Sequence, residues 1–182
     1  ILQTINSCMD NLLNNEPVKR AEQALKKFDN SLKIQVLKKT ARTAQDASIA
    51  LGCEVGAIVK SLLLRAENNF ILCLVSGDKK CSLNKLKKIT QKTDLCMASP
   101  DQVKTQTGYT IGGVSPVGLL NDLEIFMDNS LERFEKLYAA AGHPNCIFEI
   151  SFKKLNKITS SKVMEITEWE NQQLLTIHFY VF

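Results

Sequence analysis

"TGYTIGGVSPVGLL", residues 107–120, places Gly112, Gly113, Pro116 and Gly118 within seven positions. That density is too high for a helix or a plain strand, since glycine loses the most entropy on ordering and proline withholds an N–H. Apolar residues border the segment on both sides, so it reads as an ordered loop inside a packed protein. Glycines let backbone N–H groups come close to a ligand, and a run of them can bind an anion or stabilise an oxyanion. The competing use is a tight turn between strands. Gly113-Val-Ser115-Pro-Val-Gly118 reads GxSxxG, one residue longer than the GxSxG nucleophile elbow. No GK[ST] follows, which removes a Walker phosphate loop.

On the N-terminal side of the loop, "AIVKSLLLRA" (57–66) and "FILCLVSG" (70–77) are apolar runs joined by "ENN", a hairpin of buried strands. Before them, Val18, Ala21, Leu25 and Phe28 in "EPVKRAEQALKKFDN" recur at helical spacing behind Pro17. "LKIQVL" alternates as a strand, and "TAQDASIALG" is a short helix with a Thr43–Asp46 capping box and a Gly52 stop. Ser82 is placed to cap a helix "LNKLKKITQ", and Asp101 a shorter one, "DQVKTQ". On the C-terminal side come a strand "LEIFMD", a short helix from Leu131, strands near "KLYAAAG" and at "CIFEI", and a helix "SFKKLNKI". Strands outnumber helices and no βα unit repeats. The expectation is one α/β domain over 1–182, with a mixed, curved or closed sheet carrying helices outside. The apolar end, "ENQQLLTIHFYVF", suggests an added strand or packing against a neighbour.

Of the 182 residues, 45% are hydrophobic and 23% charged, ordinary for a globular protein. The longest apolar runs, such as 70–75, are too short to span a bilayer. The start, "ILQTINSCMD", has no basic segment before an apolar core, so no secretory signal is read, and it lacks an initiator Met. Cysteines stand at 8, 53, 73, 81, 96 and 146 without CxxC spacing, and His143 and His178 are the only histidines. No zinc cluster is expected, and a reduced, cytoplasmic setting fits best. The net charge of +4 is modest, but lysines cluster at 37–40, 78–80, 84–92 and 152–157. On a helix Lys85, Lys88 and Lys92 would share one face, with Lys80 nearby in sequence. They form either a solvated face or a weak phosphate-binding surface whose affinity falls with salt.

Lys60 interrupts an otherwise apolar strand. A lysine is rarely buried without a partner, because desolvating an ammonium is costly. It is either a snorkelling residue or a cation held in a cleft, facing a phosphate, a carboxylate or a developing oxyanion. Asp128 ends the strand "LEIFMD", and Gly142–Pro144 mark a turn that carries His143. A Ser115–His143–Asp128 triad can be drawn, but nothing in the spacing fixes its geometry.

Taken in order, "IVKSLLL", "SGDKKCSLNKL", "TGYTIGGVSPVG", "IFMDNSL" and "AAAGHPN" resemble the YbaK/ProX-type aminoacyl-tRNA deacylases. These are free-standing relatives of the editing domain inserted in bacterial prolyl-tRNA synthetase. The resemblance runs from about Val18 to Val163 and leaves the C-terminal tail unassigned. It implies a mixed, barrel-like sheet surrounded by helices, no metal or other cofactor, and hydrolysis of a mischarged aminoacyl ester on tRNA. The tRNA(Pro) carrying Ala, Cys, Ser or 2-aminobutyrate leads among substrates. By position it makes Lys60 the required lysine, with Gly112 and Gly113 in the substrate loop beside Ser115 and Pro116. Asp128 and Gly142 would line the pocket, and His143 and Pro144 fall in the turn that helps set amino-acid choice. Ser61 stands where the alanine-selective branch usually has Asn, which argues against that branch. The implied partners are the 3′-CCA end and acceptor stem of an aminoacyl-tRNA, met by Lys80, Lys85 and Lys88, with prolyl-tRNA synthetase as a further partner. The alternative is a non-catalytic tRNA- or synthetase-binding module of the same fold.

Overall fold

The computed structural model describes residues 11–38 and 41–169, so the apolar end at 170–182 lies outside it. Helix α1 (Glu16–Phe28) starts with Pro17 in its first turn and buries Val18, Ala21 and Leu25. Strand β1 (Ile34–Val36) and helix α2 (Ala44–Leu51) follow, the helix closed by the Thr43–Asp46 capping box and by Gly52 in the left-handed region. The long hairpin is β2 (Ile58–Ala66) and β3 (Asn69–Ser76), then come β4 (Lys79–Cys81) and α3 (Leu83–Thr90). After β5 (Leu95–Met97) and α4 (Pro100–Thr107) the glycine loop leads to β6 (Glu124–Asp128). The chain continues through β7 (Leu137–His143), β8 (Cys146–Ile150), α5 (Phe152–Thr159), β9 (Lys162–Met164) and β10 (Thr167–Trp169).

The architecture is mixed α/β, with a curved eight-stranded sheet in the order β1-β8-β7-β2-β3-β6-β9, β5 pairing β2 beside that path. Both parallel and antiparallel ladders occur: β2 runs antiparallel to β3 and parallel to β7. β4 and β10 form a separate two-stranded ribbon. One face of the sheet packs Val59, Leu63, Leu74 and Met127 under α1, α4, α5 and the glycine loop. Its other face carries two apolar clusters. Ile58, Ala140 and Ile147 lie with Ala44 and Ala47 of α2, while Leu62, Leu64 and Val75 lie with Leu86 of α3 and Ile166.

Four expectations change. The cap of α4 is Ser99, not Asp101: Ser99 and Gln102 form a capping box with Pro100 at the first helical position, the place where a missing N–H costs nothing. Ser82 is at the N-cap of α3 but gives it no side-chain bond, because its hydroxyl goes to Glu168 of β10. The helix expected from Leu131 is a 3₁₀ turn, Asn129–Arg133, capped by Asp128. Lys85, Lys88 and Lys92 do not form one stripe: α3 ends at Thr90 with Gln91 left-handed, and Lys92 turns away to Glu67.

Candidate active site

Lys60 alternates with Ile58 and Leu62, so it emerges between the two apolar clusters of the second sheet face. It is half-buried, and its Nζ donates to the carbonyl of Lys79 in β4. The cation is thereby fastened to the ribbon, while Ser61, one residue on, points to the opposite face in the row of Val59 and Leu63.

The sheet opens at this position. β2 and β7 pair only at Ile58–Tyr138 and Val59–Ala139, and β5 joins the same edge of β2 only from Leu64. Between those ladders Lys60 and Ser61 face a departing β7, whose register breaks between Ala140 and His143. Ser61 is 1% exposed, and its hydroxyl has no hydrogen-bond partner among the described residues. A buried polar atom left in that state normally carries a cost, and the Ser130 hydroxyl shares it.

The glycine loop packs on the end of β7, beyond the point where that strand leaves β2. A Cβ on Gly113 would meet the backbone of His143 at 2.9 Å, closer than real contacts allow, so only glycine lets the two main chains touch there. Gly112 lies against Pro144, whose Cγ would be 3.4 Å from an added Cβ. Gly142 has φ +88° and meets the Pro17 backbone at the start of α1, which ties the turn to the helix. The Gly113 N–H is spent inside the loop, donating to the Thr110 carbonyl at 3.0 Å. Any oxyanion donor from this loop therefore has to be another of its amides.

Two residues that sequence reasoning missed clamp the loop. The Tyr109 hydroxyl, on a fully buried ring, donates to the Val117 and Gly118 carbonyls at 2.7 and 3.0 Å. Arg20 of α1 reaches the Gly118 and Gly108 carbonyls at 2.7 and 2.9 Å and lies 4.5 Å from the centre of the Tyr109 ring. Burial raises the Tyr109 hydroxyl above its usual pKa, so it stays a donor. The aromatic was in plain view at position 109, but an arginine on an amphipathic helix gives no sign of its distant partner. Ser115 and Pro116 are buried within the loop, and the Ser115 hydroxyl accepts from the Val117 N–H.

The drawn triad does not exist. His143 Nδ1 accepts from the Asn145 N–H at 3.1 Å, so that nitrogen cannot donate to the Asp128 carboxylate as the triad requires. Asp128 is wholly buried, with one oxygen accepting from Ser130 N–H at 3.0 Å and the other from Ile166 N–H at 2.8 Å. Extending the β3–β6 ladder by one residue puts Asp128 level with Val75, which is itself opposite Lys60. Asp128 and Lys60 thus share a face about two strand spacings apart, roughly 10 Å. The carboxylate pins the start of β10, whose partner β4 holds Lys60.

Lys85 is committed to the same region, paired with Glu165 and donating to the Thr167 carbonyl at 2.8 Å. Lys80 and Lys88 are exposed. Burial lowers the pKa of His143 from its ordinary value, so it is neutral over more of the acid range. Among the described residues no group of three or more His, Cys, Asp or Glu could hold a metal, and no helix is long and apolar enough to cross a membrane.

A fastened lysine on β2 and a glycine loop packed on the turn that ends β7 can be compared with known proteins. The profile of the aminoacyl-tRNA editing domain matches residues 38–158. The chain belongs to that family. It is 38% identical over 122 residues to the uncharacterized protein YwhH of Bacillus subtilis, covering 66% of this chain and 77% of that one. A proline–tRNA ligase of Caldicellulosiruptor bescii is 27% identical over 164 residues, which is 90% of this chain but only 26% of the ligase. The fold superposes with a TM-score of 0.80 on a crystal structure of a candidate trans-editing enzyme for prolyl tRNA synthetase, at 35% identity over 85% of this chain and 98% of the other. The family supports a deacylase role. Arg20, which clamps the loop, and Trp169, which ends the ribbon, both lie outside the matched span.

Proposed function

We propose that this chain is a trans-editing aminoacyl-tRNA deacylase that hydrolyses the ester of a misacylated tRNA. The leading substrate is tRNA(Pro) carrying a small non-cognate amino acid: Ala, Cys, Ser or 2-aminobutyrate. The observation that carries this reading is the half-buried lysine fastened where β2 loses its β7 partner, together with a glycine loop packed main chain to main chain on the end of that same β7. The kinship to proline–tRNA ligases and to a candidate trans-editing protein supports the choice of tRNA. The setting is the cytoplasm, where aminoacyl-tRNA is made and used.

Water adds to the ester carbonyl, the tetrahedral oxyanion collapses, and the bond to the ribose oxygen breaks. The products are the free amino acid and a tRNA with its terminal hydroxyl restored. An aminoacyl ester is already activated, and the vicinal ribose hydroxyl is positioned to help move the proton, so no strong protein base is needed. His143, neutral and accepting an internal bond, is not given that role. Lys60 supplies positive charge toward the terminal phosphate or the carbonyl oxygen. Loop amides other than that of Gly113 face the oxyanion, in a loop that Tyr109 and Arg20 hold ready, so little reorganisation accompanies reaction.

The Ser61 hydroxyl is the polar group on hand for the bound aminoacyl moiety. Discrimination against proline is by shape, whereas Ala and Ser differ by one hydroxyl, worth only about 10²-fold in an apolar pocket.

The test is deacylation of tRNA(Pro) charged separately with Ala, Ser, Cys, 2-aminobutyrate and Pro, by the parent protein and Lys60→Ala. Release of one or more small residues with Pro spared, and much slower release by Lys60→Ala, is the expected result. Salt-dependent binding of charged tRNA without release of any amino acid would replace the enzyme by a binding module.

A further inference from the structure

The ribbon that fastens Lys60 ends in an unusual surface. Trp169 is 64% exposed, the most water-facing aromatic among the large exposed hydrophobics of the described residues. It stands directly opposite Lys79 in the β4–β10 register, and the Lys79 ammonium lies 3.7 Å from the centre of its ring. The Arg133 guanidinium is 5.5 Å from the same ring and is held in place by bonds to Asp78 and the Ser76 hydroxyl. Indole is costly to leave in water, and two cations over it add favourable ring contacts without hiding it. The backbone carbonyl of Lys79 receives the Lys60 ammonium, so one residue of β4 touches both the indole and the group proposed to meet the substrate.

An exposed aromatic ring flanked by cations is the equipment that holds single-stranded nucleic acid: bases stack on the ring, and lysine or arginine meets the adjoining phosphates. Stacking reads no sequence, which suits a terminus common to many RNAs.

We propose that Trp169 is a stacking platform for a nucleobase of the single-stranded 3′ end of the tRNA, with Lys79 and Arg133 meeting its phosphates. The proposal rests on the editing reading for its ligand but on separate residues for its site. Asp128, Ser82 and Lys85 serve it by pinning the ribbon: Asp128 takes the Ile166 N–H, the Ser82 N–H donates to the Ile166 carbonyl, and Lys85 donates to the Thr167 carbonyl.

Trp169 is the only tryptophan in the chain, so intrinsic fluorescence reports on this site alone. The experiment titrates the full chain with the RNA tetranucleotide 5′-ACCA-3′ and with an abasic ribose-phosphate oligomer of equal length. It then measures deacylation by Trp169→Ala and Trp169→Phe. The expected results are saturable quenching by the tetranucleotide only, weakened several-fold by Lys79→Ala. Trp169→Ala should raise KM roughly tenfold with kcat nearly unchanged, and Trp169→Phe should recover most of the loss, because either ring offers a π-face. Equal quenching by the abasic oligomer, no quenching by the tetranucleotide at millimolar concentration, or an unchanged KM in Trp169→Ala overturns the platform. Hydrolysis that survives such a result leaves the editing reading standing. Quenching by the tetranucleotide without hydrolysis of any charged tRNA supports the platform and overturns the enzyme instead.

Discussion

The two walls of the sheet opening are made by opposite means. The loop wall is main chain against main chain, Gly113 on His143, with side chains such as Tyr109 and Arg20 used from behind to hold it. The ribbon wall is side-chain charge: Lys60 on a carbonyl of β4, and Asp128 and Lys85 on the backbone around β10. A backbone wall tolerates almost no added volume but has no charge to lose. A charge wall tolerates reshaping but fails when a partner is removed. The family match takes in the main residues of both walls and leaves out one support of each, Arg20 behind the loop and β10 of the ribbon.

Substitutions can break this contrast from each side. The largest effect is expected from Lys60→Ala, which removes the only charged group proposed to face the reacting ester. Deacylation should fall roughly 10²- to 10³-fold in single-turnover assays, with the melting temperature little changed. A fall of less than threefold would take Lys60 out of the chemistry.

Gly113→Ala tests the other wall. Its Cβ would arrive 2.9 Å from the His143 backbone, so the loop or the turn has to shift by a few tenths of an ångström. Misplacement on that scale should lower kcat roughly 10- to 100-fold, while tRNA affinity measured by filter binding stays close to the parent's. If Gly113→Ala instead weakened binding and left kcat intact, the loop would be a binding surface and not part of the reacting centre.

Asp128→Asn separates charge from position on the ribbon side. An amide oxygen can still accept one of the two N–H groups, but its NH₂ cannot accept the other. One buried donor, on Ser130 or Ile166, is left stranded at a cost of roughly 1–3 kcal/mol, read from the shift in urea midpoint. Activity should fall with it if the ribbon positions Lys60.

A smaller and pH-dependent effect belongs to His143. Burial lowers its pKa in the folded protein, so the unfolded chain, near its ordinary 6.5, takes up a proton first as pH falls. Stability is therefore full above about 6.5, declines as pH drops through that value, and levels off below the folded pKa. His143→Gln should flatten this part of the stability–pH curve and leave deacylation within a few-fold of the parent. A large activity loss confined to low pH in the parent and abolished in the variant would restore the histidine as a base.

The smallest effect is expected from Lys88→Ala, an exposed cation on α3. It should weaken tRNA binding less than about threefold and reduce the slope of log affinity against log salt by about one.

Much of this protein was legible in its sequence. The apolar runs at 57–66 and 70–77 pointed to a buried hairpin, and residues 58–66 and 69–76 form one. The glycine and proline density of 112–118 required an ordered loop, and a lone lysine in an apolar strand had either to snorkel to water or to be held in a cleft. These are local signals: periodicity, excluded backbone conformations and the cost of burying a charge act within a few residues.

What only the tertiary structure decided is who meets whom. The partner of Lys60 is the carbonyl of Lys79, the loop is held by Arg20 from 88 and 98 residues away, and Asp128 serves an amide 38 residues on. The triad written from Ser115, His143 and Asp128 dissolved for the same reason. Hydrogen-bond partners are fixed by strand register and by which main-chain groups the fold leaves unpaired. Neither quantity is carried by residue type or spacing, so the sequence determined the parts, and the sheet's path determined their use.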